Sequence, residues 1–137
     1  FRMLADMPAA MTAHVVYSVL DPSSPATTSK KVIRNVIRRA IGYDGLLMSD
    51  DLSMQALQGT LQQRAAAAFA AGCDLGLHCN GKMDEMIGVA QAAPVLAGKA
   101  RRRADAALAR IRHLPEPLDV AEARDRLAAA LASGDTA

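Results

Sequence analysis

Residues 45–49, Gly-Leu-Leu-Met-Ser, form an apolar run that does not alternate with polar residues. A strand with one wet face alternates. A strand buried on both faces does not, and burial on both sides belongs to parallel sheets covered by helices. The run is framed by helix signals. Upstream, Ser29 precedes a segment in which Val32, Ile33, Val36, Ile37, Ala40 and Ile41 make one apolar stripe. Lys30, Lys31, Arg34, Arg38 and Arg39 take the opposite face as a solvated surface, and Gly42 stands where a left-handed C-terminal cap belongs. Downstream, Thr60 and Gln63 have the capping-box spacing that opens a helix, and Gly72 closes it.

Two further short apolar segments, at residues 10–13 and 74–78, read as strands. Helices are predicted over residues 83–92, from Pro94 to about residue 113, and over 120–131, with Pro115 and Pro117 as breakers. Residues 21–28, dense in Pro, Ser and Thr, form a loop. The order is therefore β-α-β-α-β-α with two appended helices: an α/β chain with right-handed crossovers and a parallel sheet. A doubly wound sheet and a (β/α)8 barrel both fit this pattern. Three βα units are too few to close a barrel, which takes about 250 residues.

With 137 residues the chain is long enough for one domain with a core, and 51% of it is hydrophobic, but only four residues are aromatic. A net charge of +2 gives no concentrated basic surface, so neither nucleic acid nor an anionic membrane is expected as a partner. Cys73 and Cys79 lie in an apolar region and read as reduced core residues of an intracellular protein. No segment has the length of a membrane span, and the N-terminus lacks the charged start and apolar centre of a signal peptide, so the expected location is the cytoplasm. The chain starts in mid-pattern without an initiator methionine, which suggests part of something longer.

Chemistry in parallel α/β folds gathers at the carboxyl ends of strands. Here those ends carry His14, the pair Asp50 and Asp51, and residues His78, Cys79 and Asn80. An acid after a strand is often a helix N-cap, and Asp51 can serve so, but two adjacent acids cannot both cap with one geometry. The remaining carboxylate suits a nucleophile or a cation ligand. His14 reads equally as a group pointing into a site or as a hydrogen-bonded structural residue. Cys73, His78 and Cys79 lack ordered zinc-ligand spacing and a fourth ligand, so no metal is assigned.

Four stretches together are familiar: MTAHVVY at 11–17, DPSSPATTS at 21–29, GYDGLLMSDDLSMQAL at 42–57 and AAGCDLGLHCN at 70–80. In this order they resemble bacterial β-N-acetylhexosaminidases of glycoside hydrolase family 3, the cytoplasmic enzymes of cell-wall recycling, with the Ser-Asp-Asp-Leu-Ser-Met string as the most specific part. The resemblance implies the last three βα units of a (β/α)8 barrel over residues 1–113, followed by a C-terminal helical extension over 114–137. It implies a retaining glycosidase that removes terminal N-acetylglucosamine from muropeptide fragments without a cofactor. Its nucleophile, the first Asp of the motif, falls on Asp50, and His14 and Asn80 become candidate substrate contacts. The family's proton donor is a histidine paired with an aspartate, in the string Lys-His-Phe-Pro-Gly-His-Gly-Asp. That string is absent from this chain, and neither His14 nor His78 lies in its motif.

Three functions follow: a hexosaminidase portion, inactive alone for want of its acid; a non-catalytic α/β interaction module; and a site for a divalent cation and phosphate on a doubly wound sheet. The third lacks a glycine-rich phosphate loop. A lone third of a barrel would also expose sheet edges and an apolar inner face, favouring self-association.

Overall fold

A computed structural model describes residues 1–111 and 116–134. Three strands, β1 (Ala9–Met11), β2 (Leu46–Asp51) and β3 (Leu75–Leu77), form a parallel sheet in the order β1-β2-β3. The strands expected from sequence are present, neighbouring and in sequence order, each displaced by a residue or two at its ends. β1 pairs with β2 in the register Ala9 with Leu46, Ala10 with Leu47 and Met11 with Met48.

The helices follow the sequence signals unevenly. Helix α1 (Leu61–Ala71) starts on the expected reciprocal cap: Gln63 N–H donates to Thr60 Oγ1 at 3.2 Å, and Thr60 N–H to Gln63 Oε1 at 2.9 Å. It ends at Gly72, whose φ of +118° is open to glycine and strained for other residues. Helix α2 (Met83–Ala92) falls where it was expected, and α4 (Val120–Gly134) runs a little further. Helix α3 (Gly98–Ala109) begins later than Pro94, because Ala93 before that proline is extended and the chain stays non-helical to Ala97. The expected end of this helix near residue 113, the breaker Pro115 and the domain boundary at 113/114 lie outside the described residues.

The segment before β2 differs more. Ser29 Oγ caps it as expected, accepting from Val32 N–H at 3.1 Å, but Val32–Ile41 winds as a π-helix rather than an α-helix. Its last turn runs from Gly42 N–H to Ile37 O. The wider turn keeps Val32, Ile33, Val36, Ile37 and Ile41 toward the protein and leaves Ala40 exposed.

The core lies between the sheet and the helices, where Ile33, Tyr43, Leu47, Leu52 and Leu57 meet Ala65, Ala68, Ala71 and Cys73. Alanines on α1 allow the close approach that an aromatic-poor chain needs. A side chain at Gly76 would strike the Phe69 ring at 3.1 Å, so this side of β3 lies directly on α1. Cys73 is buried as expected, and burial pushes its thiol up to about 11. Cys79 departs from expectation: it is exposed, because the chain has already left β3 for the loop.

Candidate active site

The carboxyl end of β2 is not a regular strand end. Met48 pairs with Leu75 and Asp51 with Leu77, so β2 takes three steps where β3 takes two. The extra residue is a bulge, a device that re-aims a side chain. The fully buried Ser49 makes it possible: its Oγ accepts the Leu77 N–H at 2.9 Å, in place of a main-chain acceptor. Asp50 sits on this bulge, partly buried, and its Oδ1 accepts the Asp51 N–H at 2.8 Å. Among the described residues Asp50 forms no ion pair. The serine in an otherwise apolar run was the only sequence signal of the bulge.

Asp51 is occupied. Its Oδ1 accepts from Ser53 N–H at 3.0 Å and Cys79 N–H at 3.3 Å, and its Oδ2 from Ser53 Oγ–H at 2.6 Å. The Ser53 hydroxyl, then its amide, hold the Asp51 carboxyl below its ordinary value of 3.8. Its carbonyl oxygen lies 2.9 Å from His14 Nε2. The other ring nitrogen, His14 Nδ1, is 2.8 Å from Thr27 Oγ1, which in turn is 2.9 Å from Thr12 Oγ1. Both nitrogens of His14 are thus engaged inside the chain, the hydrogen-bonded arrangement that its sequence position left open.

The loop after β3 closes on Glu85, in the first turn of α2. Asn80 Nδ2 donates to Glu85 Oε2, Asn80 Oδ1 accepts the Lys82 N–H at 3.0 Å, and Lys82 Nζ lies 3.5 Å from Glu85 Oε1. The Asn80 contact is the main cause of a lowered Glu85 pKa. His78 Nε2 is 3.5 Å from Glu85 Oε2, but neither ring nitrogen of this 6% exposed side chain makes a hydrogen bond. His14, Asp50, Asp51, His78 and Asn80 therefore share one sheet edge, while Cys73 lies in the core, its Sγ 3.7 Å from the Thr27 carbonyl. Among the described residues no three His, Cys, Asp or Glu side chains converge as a cation site.

The opposite edge carries a network that reading along the sequence missed. Asp74 Oδ2 accepts from Arg38 at 2.7 Å and from Leu47 N–H at 3.0 Å, and Asp74 Oδ1 from Arg103 at 3.0 Å. Arg103 also reaches Asp44 Oδ1 at 2.6 Å, which holds the Asp44 carboxyl below its ordinary range. Arg38 donates to the carbonyls of Tyr43 and Gly45 as well, so it belongs to the protein interior rather than to the solvated face expected of it. The network ties the π-helix, β2, β3 and α3 together at the amino ends of the strands, where a parallel sheet gains stability rather than chemistry.

Residues 2–114 match the family described as glycosyl hydrolase family 3 N terminal domain. This chain belongs to that family. A protein named beta-hexosaminidase from Alkalilimnicola ehrlichii is 40% identical over 128 residues, 90% of this chain and 30% of that protein. A beta-hexosaminidase from Bordetella parapertussis is 45% identical over 76 residues, 54% of this chain and 21% of that protein. The chain thus spans under a third of the curated relatives it matches. The solved family 3 β-N-acetylglucosaminidase from Paenibacillus sp. str. FPU-7 superimposes with a TM-score of 0.64 at 28% identity, covering 82% of this chain and 24% of that one. Native NagZ from Neisseria gonorrhoeae does so with a TM-score of 0.61 at 32% identity, over 83% and 35% of the two chains.

Proposed function

We propose that this chain is the nucleophile-bearing part of a retaining β-N-acetylhexosaminidase, in which residues 1–113 supply the last three βα units of a (β/α)8 barrel and 114–137 a helical extension. The observation that carries the reading is Asp50, partly buried on a bulge at the carboxyl end of the central strand, with Oδ1 fixed by the Asp51 amide. The names of the relatives from Alkalilimnicola and Paenibacillus support the amino-sugar substrate. In this reading the Asp50 carboxylate attacks the anomeric carbon of a terminal N-acetylglucosamine. The glycosyl-enzyme so formed is then hydrolysed by water, which restores the original configuration. The substrate is a muropeptide fragment, and the setting is cell-wall recycling in the cytoplasm. No helix is long and apolar enough to cross a membrane among the described residues.

The proton donor comes from outside this chain. His14 has both ring nitrogens engaged, and His78 faces Glu85 on α2. Of the two proposed substrate contacts, Asn80 stands exposed at the rim, whereas His14 has no ring nitrogen to spare. Without an acid, attack by Asp50 would expel an alkoxide, so the chain alone is inactive. The test is hydrolysis of 4-nitrophenyl N-acetylglucosaminide by the complete barrel protein carrying this sequence. Asp50→Ala is expected to abolish turnover while leaving sugar binding largely intact. Turnover that survives this substitution would sink the reading.

A further inference from the structure

We infer that His14 is a positioning residue for the nucleophile, acting through the main chain of Asp51 rather than by touching substrate. The inference rests on the reading of Asp50 as the nucleophile. A carbonyl oxygen only accepts, so the 2.9 Å contact with Asp51 O requires the proton on His14 Nε2. In the neutral ring Nδ1 is then an acceptor, and the Thr27 hydroxyl must donate to it. The Thr12 hydroxyl therefore donates to Thr27 Oγ1. One acceptor at the end of the wire thus orients every group in it. Thr27 is fully buried and Thr12 nearly so, which leaves little room for water to compete.

Asp51 is held from both sides. The wire from the segment after β1 and the 26–28 turn takes its carbonyl, which also accepts the Met54 N–H at 3.2 Å, while Ser53 and the loop after β3 take its carboxylate. A residue fixed at both of these points has its amide direction fixed too, and that amide donates to Asp50 Oδ1. The hydrogen bond sets the plane of the Asp50 carboxyl and leaves Oδ2, which accepts no hydrogen bond among the described residues, for attack. A misplacement of about 1 Å at such a group can cost about 100-fold in rate.

Three variants of the complete barrel protein test this: His14→Ala, His14→Gln and Thr27→Val. His14→Ala is expected to lower kcat about 10- to 100-fold with KM changed less than about twofold, because the lost geometry matters at the reacting atoms. His14→Gln, whose carboxamide N–H can replace the Nε2 donor, should recover most of the loss, and Thr27→Val should fall between them. An unchanged kcat in His14→Ala, or a raised KM at constant kcat, would overturn the inference, the latter pointing to a sugar contact. A second readout needs no turnover. In 15N spectra of the parent protein His14 should be the neutral Nε2–H tautomer, with the Asp51 amide proton shifted downfield by its carboxylate acceptor. That shift should collapse in His14→Ala and persist in His14→Gln. If it is indifferent to residue 14 the inference fails, whatever the activity, whereas loss of the nucleophile reading alone would show as full activity in Asp50→Ala.

Discussion

Asp50 and Asp51 are adjacent and chemically identical, yet the fold gives them opposite environments. The Asp51 carboxylate accepts three hydrogen bonds and its carbonyl is shared by His14 and the Met54 amide, while the Asp50 carboxylate accepts one. Asp51→Ala should therefore reduce turnover without abolishing it and cost about 1 kcal/mol of stability, read by urea denaturation and initial rates. The pH dependence follows the same bonds. Ser29 first, then Ser23, lower the pKa of Asp21, and Ser53 lowers that of Asp51, both below an ordinary 3.8. A carboxyl depressed in the folded state contributes stability that is fully present above its unfolded value and is lost as pH falls through its folded value. Urea midpoints should accordingly hold from pH 7 to about 5 and fall below about 4. The fall should be shallower in Asp51→Asn, and an equal fall would contradict the assignment. Sequence alone drew attention to this pair through the abrupt end of an apolar run. The resemblance pointed to Asp50, and Ser53 lies close enough in sequence to occupy Asp51, but the contacts from Cys79 and His14 were hidden because both come from loops distant in sequence.

At the scale of elements, the legible features were those encoded within a few residues. Thr60 and Gln63 announced the start of α1, and Gly42 and Gly72 the ends of two helices, because caps are local chemistry. The π-winding of Val32–Ile41 was not legible, since a stripe spaced by four residues suits both the narrower and the wider helix. Nor was the clamp on Asp74, whose partners Arg38, Leu47 and Arg103 lie 27 to 36 positions away. The Asp74 side chain is 6% exposed and that of Arg103 13%. Asp74→Ala leaves the Leu47 amide without its carboxylate acceptor and takes one partner each from Arg38, which keeps the Tyr43 and Gly45 carbonyls, and Arg103, which keeps Asp44, and should cost about 3 kcal/mol. Arg101→Ala breaks only an exposed pair with Asp105 and should change stability by less than about 0.5 kcal/mol. Equal effects in urea titrations would mean that the clamp contributes no more than the surface pair.

For the molecule as a whole, the central strand is covered at Leu46 and Leu47, while β1 and the loop that follows it leave apolar side chains in water. Met11, Val15, Val16 and Tyr17 each keep about half of their surface exposed, and Val19 nearly all of it. The α/β order, the parallel pairing and the shared site edge were legible, because strand and helix periods differ and parallel strands put their carboxyl ends together. What covers these apolar side chains was not legible, because nothing within a few residues of them names their complement. The barrel reading supplies that complement from further strands; alone, the chain should self-associate at micromolar concentration, and a compact monomer in sedimentation velocity would count against this. The most direct test is to trap the complete barrel protein with a mechanism-based 2-fluoro sugar and map the labelled peptide. The sugar is expected on Asp50. A label on Asp51, or on any residue outside β2, would contradict it.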